Sequence, residues 1–137
     1  MYRGDRMDPY NKKVLYWLEL AEYDLETAKV MLLGEKFLYV GFMCHQVIEK
    51  SLKGYYTSIN PESVPYIHNL VQLAKKSGLY YHMSDNQLNI IDLLEPLNIQ
   101  ARYPSDKDKL LKSLSLKRCS EIITETEALF EWIKAKF

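Results

Sequence analysis

The order of apolar and polar positions predicts helices along almost the whole chain. Apolar side chains recur every three or four residues over about 9–33, 36–58, 68–76 and 84–95. After a polar segment they recur again over about 110–135. No segment alternates between apolar and polar residues for long enough to predict a strand. We therefore predict an all-α fold, a five-helix up-down bundle with three long helices and two short ones.

Local start and stop signals support these helices. A glycine after the apolar pattern favours helix ends at Gly34 and Gly78, and Pro96 ends or kinks the fourth helix. Ser84 followed by Gln87 has the spacing of a capping box, which marks the start of that fourth helix. The two signals at 78 and 84 therefore separate the third helix from the fourth.

The second predicted helix changes character halfway along. Its first half, from Phe37 to Cys44, is almost entirely apolar, which is typical of a helix at the centre of a bundle. His45 then begins a polar set whose spacing places four more side chains on one face: Gln46, Glu49, Lys50 and Lys53. Two interpretations stay open. These groups pair with one another and bridge neighbouring helices, or they line a cleft that binds an anionic or nucleotide ligand.

Two loop segments add further candidates. His68 and Asn69 lie at the start of the third helix, where Asn is a favoured cap and a neutral His can act as a base or acceptor. Arg102 and Tyr103 precede the last helix. An Arg beside an aromatic residue suits phosphate contact and base stacking, although the Arg can equally pair with an acid on a helix surface.

Length and charge limit the possible functions. We expect 137 residues to form one domain, 1–137, with a core at about 9–135. The 18 basic and 18 acidic side chains cancel, which excludes a protein whose overall charge drives it onto nucleic acid. The charges are unevenly spread, because the segment Arg102–Arg118 holds six basic and two acidic residues. A local basic zone therefore remains a candidate contact for phosphate.

Several other site types lack their sequence signals. No apolar run is long enough to cross a membrane, and the first ten residues have no apolar segment of a secretory signal. Cys44 and Cys119 lie in apolar helical patterns, which predicts buried thiols in a reducing compartment. His45, His68 and His82 have no metal-ligand spacing, and no cofactor motif is present. We expect a cytoplasmic protein without metal or cofactor.

Four segments, taken in order, carry a family resemblance. They are Trp17-x-x-x-Ala21-x-x-Asp24-Leu25-x-x-Ala28, His45-Gln46-Val47-Ile48-Glu49-Lys50-x-Leu52-Lys53, His68-Asn69-Leu70 and Ala101-Arg102-Tyr103-Pro104. Across about residues 16–132, the chain resembles the HEPN domain family. The resemblance implies the fold shared with nucleotidyltransferase substrate-binding subunits, a homodimer, and a role in nucleotide or RNA metabolism. It also implies a minimal nucleotidyltransferase partner, as in toxin–antitoxin modules.

The same resemblance bears on catalysis. Catalytic members of the family cleave RNA with an Arg and a His that are separated by a spacer of four to six residues. Arg102 matches the Arg, but residues 103–109 contain no His. We therefore expect a binding module rather than an enzyme, with Arg102, His68 and His45 as the catalytic candidates if activity exists. The candidate ligand-binding residues are His45, Gln46, Glu49, Lys50, Lys53, His68, Asn69, Arg102 and Tyr103.

Two alternative functions remain open at this point. One is a metal-independent endoribonuclease with an atypical site. The other is a purely structural protein-interaction domain that binds no small ligand. RNA cleavage distinguishes the first from a binding module, and the absence of any ligand distinguishes the second.

Overall fold

A computed structural model describes residues 9–63, 66–98 and 104–137. These residues form six α-helices, two short 3₁₀ turns at Leu79–His82 and Glu95–Asn98, and no strand. The helices are α1 (Pro9–Leu33), α2 (Phe37–Ile59), α3 (Leu70–Ser77), α4 (Asp85–Leu94), α5 (Pro104–Ser113) and α6 (Leu116–Lys134). The predicted all-α bundle is confirmed, with six α-helices in place of the expected five.

The extra helix arises because the last predicted helix is two separate helices. Ser115 lies four residues before Cys119, at the spacing of the apolar stripe of α6, but it is exposed and extended. Its Oγ accepts a hydrogen bond from the Arg118 N–H at 3.1 Å. That bond caps α6, so the helix cannot continue back to Leu110. Leu110 belongs to α5, and Leu114 between the two helices is buried.

The ends of the other helices follow the predicted signals closely. Gly78 takes a left-handed φ of 84° after α3, and Ser84 and Gln87 form the capping box of α4. The end of α1 differs in one detail. Gly34 does follow its last residue, but the left-handed φ, 56°, belongs to Glu35.

Helix α2 is the centre of the bundle, as predicted, and it contacts α1, α3, α6 and the Glu95–Asn98 turn. Its burial runs opposite to the expectation for its two halves. In the apolar first half, Tyr39 is exposed and Phe42 is only partly buried. The polar second half is more completely covered, because α1 and α3 pack against it. Lys53 and Gly54 there are both buried.

Helix α1 lies along α2 at short range. Its buried side includes Ala21 and Leu25, and a Cβ built on Gly54 of α2 would lie 3.0 Å from Trp17 Cβ. Two ion pairs join α1 to α6. Lys29 Nζ lies 3.2 Å from Glu127, and Lys134 Nζ lies 3.6 Å from Glu22. Helix α1 therefore contacts α6 as well as α2.

The remaining core comes from α6 and the short helices. The apolar stripe of α6 is buried at Cys119, Ile122, Thr126, Leu129 and Ile133. Cys44 and Cys119 are free buried thiols, as predicted, and burial raises the pKa of Cys44 to about 12 and also raises that of Cys119. None of the helices within the described ranges is long and apolar enough to span a membrane.

Candidate functional site

Three polar side chains follow one another at four-residue intervals on the inner face of α2. They are His45, Glu49 and Lys53, and all three are buried. Lys53 Nζ donates a hydrogen bond to Glu49 Oε2 at 2.8 Å, and His45 Nδ1 lies 3.6 Å from Glu49 Oε1. The Trp17 ring of α1 covers Lys53 Nζ, with its centroid 5.6 Å away. An ionised pair therefore sits inside the bundle.

His68 joins this row from the segment before α3. Its Nδ1 lies 3.0 Å from Glu49 Oε2 and 3.2 Å from Lys53 Nζ. The His68 side chain is 69% exposed, whereas Glu49 and Lys53 are each 7% exposed. Nε2, the other ring nitrogen, has no partner among the described residues. His68 is therefore the point at which the buried pair reaches solvent.

Asn69, the residue after His68, caps helix α3. Its Oδ1 accepts a hydrogen bond from the Gln72 N–H at 2.9 Å and caps α3, so that helix begins at Leu70 and not at His68. The cap of α3 is thus Asn69, the residue type that the sequence favours there. The cap ends the preceding loop and leaves the His68 side chain turned toward Glu49.

Glu95 is a member of this cluster that the sequence analysis missed. Its Oε1 accepts a hydrogen bond from the Leu70 N–H at 2.7 Å, and its Oε2 lies 3.5 Å from His45 Nε2. The sequence does contain one signal that points to Glu95. An acidic residue directly after the last turn of α4 is disfavoured by the helix dipole, which indicates a partner elsewhere in the fold.

His45 lies between two carboxylates without a hydrogen bond to either. Its ring is fully buried, with Glu49 3.6 Å from one nitrogen and Glu95 3.5 Å from the other. Burial lowers the pKa of His45 below the ordinary 6.5, and the two carboxylates only partly oppose this effect. The ring is therefore neutral at pH 7, with one N–H and one acceptor nitrogen.

We name His45, Glu49, Lys53, His68 and Glu95 the α2 cluster. Two residues predicted to share its face contact other neighbours. Gln46 Nε2 donates to Asn98 Oδ1 at 3.3 Å, and the Lys50 ammonium pairs with the carboxylate of Asp24 on α1. Each lysine on this face thus has a carboxylate against it, so the face supplies no uncompensated positive charge for an anion.

Arg102 and Tyr103 lie outside the described residues. The elements on either side of them, the Glu95–Asn98 turn and α5, both contact α2. Helix α5 displays exposed lysines at 107, 109 and 112, with Asp108 between them. Further along, Lys117 is exposed and Arg118 pairs with Glu121 at 3.3 Å. The basic zone predicted from the sequence is thus exposed along α5.

A separate groove of about 640 Å³ runs between α4 and α6. Carboxamides from Asn86, Gln87 and Asn89 line one wall, and Ile90 and Leu129 form part of an apolar floor. The groove includes no residue of the α2 cluster. Nowhere in the described part of the chain do three or more His, Cys, Asp or Glu side chains gather as a metal site.

Comparisons with known proteins agree with this architecture. The family model of the HEPN domain matches residues 14–136. The crystal structure of TT1696 from Thermus thermophilus is similar, with a TM-score of 0.75 and 18% identity over 91% of this chain and 98% of that chain. ST0689, an archaeal HEPN homologue, has a TM-score of 0.68 and 20% identity over 90% and 96%. No curated protein matches the sequence.

Proposed function

Since the chain belongs to the HEPN domain family, we propose that it is a dimeric binding module for nucleotide or RNA. In this proposal it acts with a minimal nucleotidyltransferase protein, in a module of the toxin–antitoxin kind. The observation that carries the proposal is the α2 cluster, in which a buried Glu49–Lys53 pair holds an exposed His68.

The free-energy cost of burying the Glu49–Lys53 pair supports a binding role. Placing a carboxylate and an ammonium in the interior carries a desolvation penalty that apolar residues of similar size would avoid. The pair fixes His68 through Nδ1, so the outward ring nitrogen has a defined direction. A ligand that meets His68 therefore finds a hydrogen-bonding group that is already oriented, which lowers the entropy cost of binding.

The positive charge for phosphate comes from other parts of the chain. Glu49 and Asp24 compensate Lys53 and Lys50, so we assign phosphate contact to Arg102 and to the exposed lysines of α5. Tyr103 then offers a ring for base stacking. The proposed ligand has a phosphate near α5 and Arg102 and a polar group near His68.

Binding measurements test this assignment. We expect fluorescein-labelled single-stranded RNA, or a labelled nucleotide, to bind the wild-type protein in fluorescence anisotropy. The Arg102→Ala and His68→Ala variants should each weaken binding about tenfold, the equivalent of 1.4 kcal/mol. His82→Ala removes another exposed histidine and serves as the matched control. Equal affinities in all four proteins would contradict the site, and no binding at all would favour the purely structural alternative.

One contact favours the endoribonuclease alternative. A buried carboxylate 3.0 Å from an imidazole nitrogen, with the other ring nitrogen outward, is the arrangement of an oriented general acid or base. This alternative predicts metal-independent RNA cleavage that His68→Ala abolishes and Glu49→Gln slows. RNA that stays intact with the purified protein from pH 5 to 9 would exclude the alternative and leave the binding module.

The partner is tested by co-expression. We expect the chain to co-purify with a minimal nucleotidyltransferase encoded beside it, and we expect light scattering to give the mass of a dimer. A monomer at all concentrations would contradict the dimeric part of the proposal. Failure to co-purify would contradict the partnership without affecting the RNA measurements.

A further inference from the structure

Helix α1 carries a second stripe, apolar except for one threonine, on the side facing away from the core. Its members are spaced by four, three, four and three residues: Tyr16, Leu20, Tyr23, Thr27 and Val30. Tyr16, Tyr23 and Val30 are 59%, 69% and 60% exposed. We call these five residues the outer seam.

The neighbours of α1 leave this side open. The buried stripe of α1 faces α2, and Asp24 on one flank pairs with Lys50 of α2. On the other flank, Glu22 and Lys29 pair with residues of α6. The outer seam lies between these flanks on the opposite side of the helix, and the exposure of Tyr16, Tyr23 and Val30 shows that no described element covers these positions.

The spacing of the outer seam is that of one strand of a coiled coil. Alternating steps of three and four residues keep apolar side chains in line along a helix, over roughly 21 Å for residues 16–30. Single exposed apolar residues are ordinary on a protein surface, but an aligned row on one helix forms a contiguous patch of the kind that binds partners. We propose that the outer seam docks an amphipathic helix of another protein, whose apolar residues are flanked by lysine or arginine.

The charges beside the seam define the partner. Glu19 and Glu26 are exposed, lie one heptad apart on the same flank, and have no ion-pair partner among the described residues. These positions are the ones that meet flanking charges of the other helix in a coiled coil. A partner helix with basic flanking residues would pair with both carboxylates.

The same charges disfavour a second copy of this chain. An antiparallel pairing that sets Leu20 against Tyr23 brings Glu19 beside Glu26 of the second copy twice. Like charges at such close flanking positions oppose association. A different chain with the opposite charge meets no such repulsion, so the seam is better matched to a foreign helix than to itself.

A pair of designed peptides tests the proposal. Both are labelled 21-residue helix formers with Leu at seam positions, one with Lys and the other with Glu at the flanking positions. In fluorescence anisotropy we expect the Lys peptide to bind at least about tenfold more tightly than the Glu peptide. Tyr23→Glu should abolish binding, whereas Tyr81→Glu, at an equally exposed tyrosine outside α1, should leave it unchanged. Circular dichroism confirms that each variant folds.

Charge reversal gives the decisive comparison. The Glu19→Lys/Glu26→Lys variant should prefer the Glu peptide over the Lys peptide. No binding of either peptide to the wild type, or no change in preference on reversal, would overturn the proposal. A wild-type dimer that becomes monomeric in Tyr23→Glu would also overturn it, because a second copy would then occupy the seam. RNA binding should be unaffected by Tyr23→Glu, since the seam and the α2 cluster share no residue.

Discussion

The Glu49–Lys53 pair is buried, which makes each charge dependent on the other. Lys53→Met leaves the buried Glu49 carboxylate without its ammonium partner, and we expect the free energy of unfolding to fall by about 3–5 kcal/mol. Urea denaturation measures this loss. Lys29→Met, which breaks the exposed Lys29–Glu127 pair, is the matched control and should cost no more than about 1 kcal/mol. Equal losses of unfolding free energy in Lys53→Met and Lys29→Met would show that burial does not make the Glu49–Lys53 pair more important for stability.

His45 makes stability depend on pH in a definite direction. Its pKa is below 6.5 in the folded protein, chiefly because burial disfavours the charged ring. The unfolded chain therefore binds a proton at pH values where the folded protein does not, and stability falls as the pH drops below about 6.5. One such group contributes at most about 1.4 kcal/mol per pH unit.

The comparison of wild type with His45→Gln isolates this contribution. Urea midpoints at pH 7.5 and 5.5 should differ more in the wild type than in the variant, since Glu49, Glu95 and His68 are present in both. The same difference in the two proteins would mean that His45 does not titrate differently on folding.

For individual residues, the sequence predicts which side chains share a helix face better than it predicts which side chains from other segments they contact. The spacing of Gln46, Glu49, Lys50 and Lys53 predicts one shared face. Glu49 and Lys53 do lie together there, beside His45, because helical periodicity determines it, whereas Gln46 and Lys50 contact other neighbours. The approach of His68 and Glu95 to that face depends on the path of the chain between helices, which periodicity does not contain. Whether these residues bind a ligand stays a prediction.

Among the helices, the contact between α2 and the Glu95–Asn98 turn requires a glycine. A Cβ at Gly41 would lie 3.0 Å from Leu97 Cδ1 and 3.3 Å from its Cβ. We expect Gly41→Ala to lower the free energy of unfolding by about 1–3 kcal/mol, because the turn must shift. The shift would also move Glu95 away from His45, so the pH dependence described above should change with it.

Gly34→Ala provides the matched control for this substitution. A Cβ there would meet no atom closer than 3.8 Å, so stability should stay within about 1 kcal/mol of the wild type. Thermal or urea unfolding of both variants measures the difference. A tolerated alanine at Gly41 would show that the Leu97 contact is easily rearranged.

The accuracy of element prediction follows the strength of the apolar pattern. Helices α1 and α2 have long patterns, and their bounds agree with the structure within one or two residues. Helix α5 was missed because its sequence is mostly charged and polar, so its apolar signal begins only at Leu110. Ser115 gives a second reason why the break between α5 and α6 was not predicted. A serine can occupy either a position on an apolar stripe or the N-cap of a helix, and here it is the N-cap of α6.

The molecule as a whole has a net charge of zero, but its charges are unevenly distributed, and α5 carries exposed lysines. We expect RNA affinity to fall with rising salt, and replacing Lys107, Lys109 and Lys112 with Gln should reduce the log–log slope by up to about 2. Anisotropy titrations at several salt concentrations measure the slope. The exposed pair Lys75 and Lys76 on α3, replaced by Gln, is the control and should leave it unchanged. Identical slopes in all proteins would exclude α5 as the phosphate contact.

The two buried thiols can report when the core opens, because they react only when they become exposed. Cys44 lies on α2 and Cys119 on α6, and neither side chain has any exposed surface in the folded protein. Because burial raises both pKa values, a thiol-alkylating reagent finds almost no thiolate until α2 and α6 separate. The rate of alkylation under native conditions, followed by intact mass, would therefore time the transient separation of these helices, with no label added to the chain.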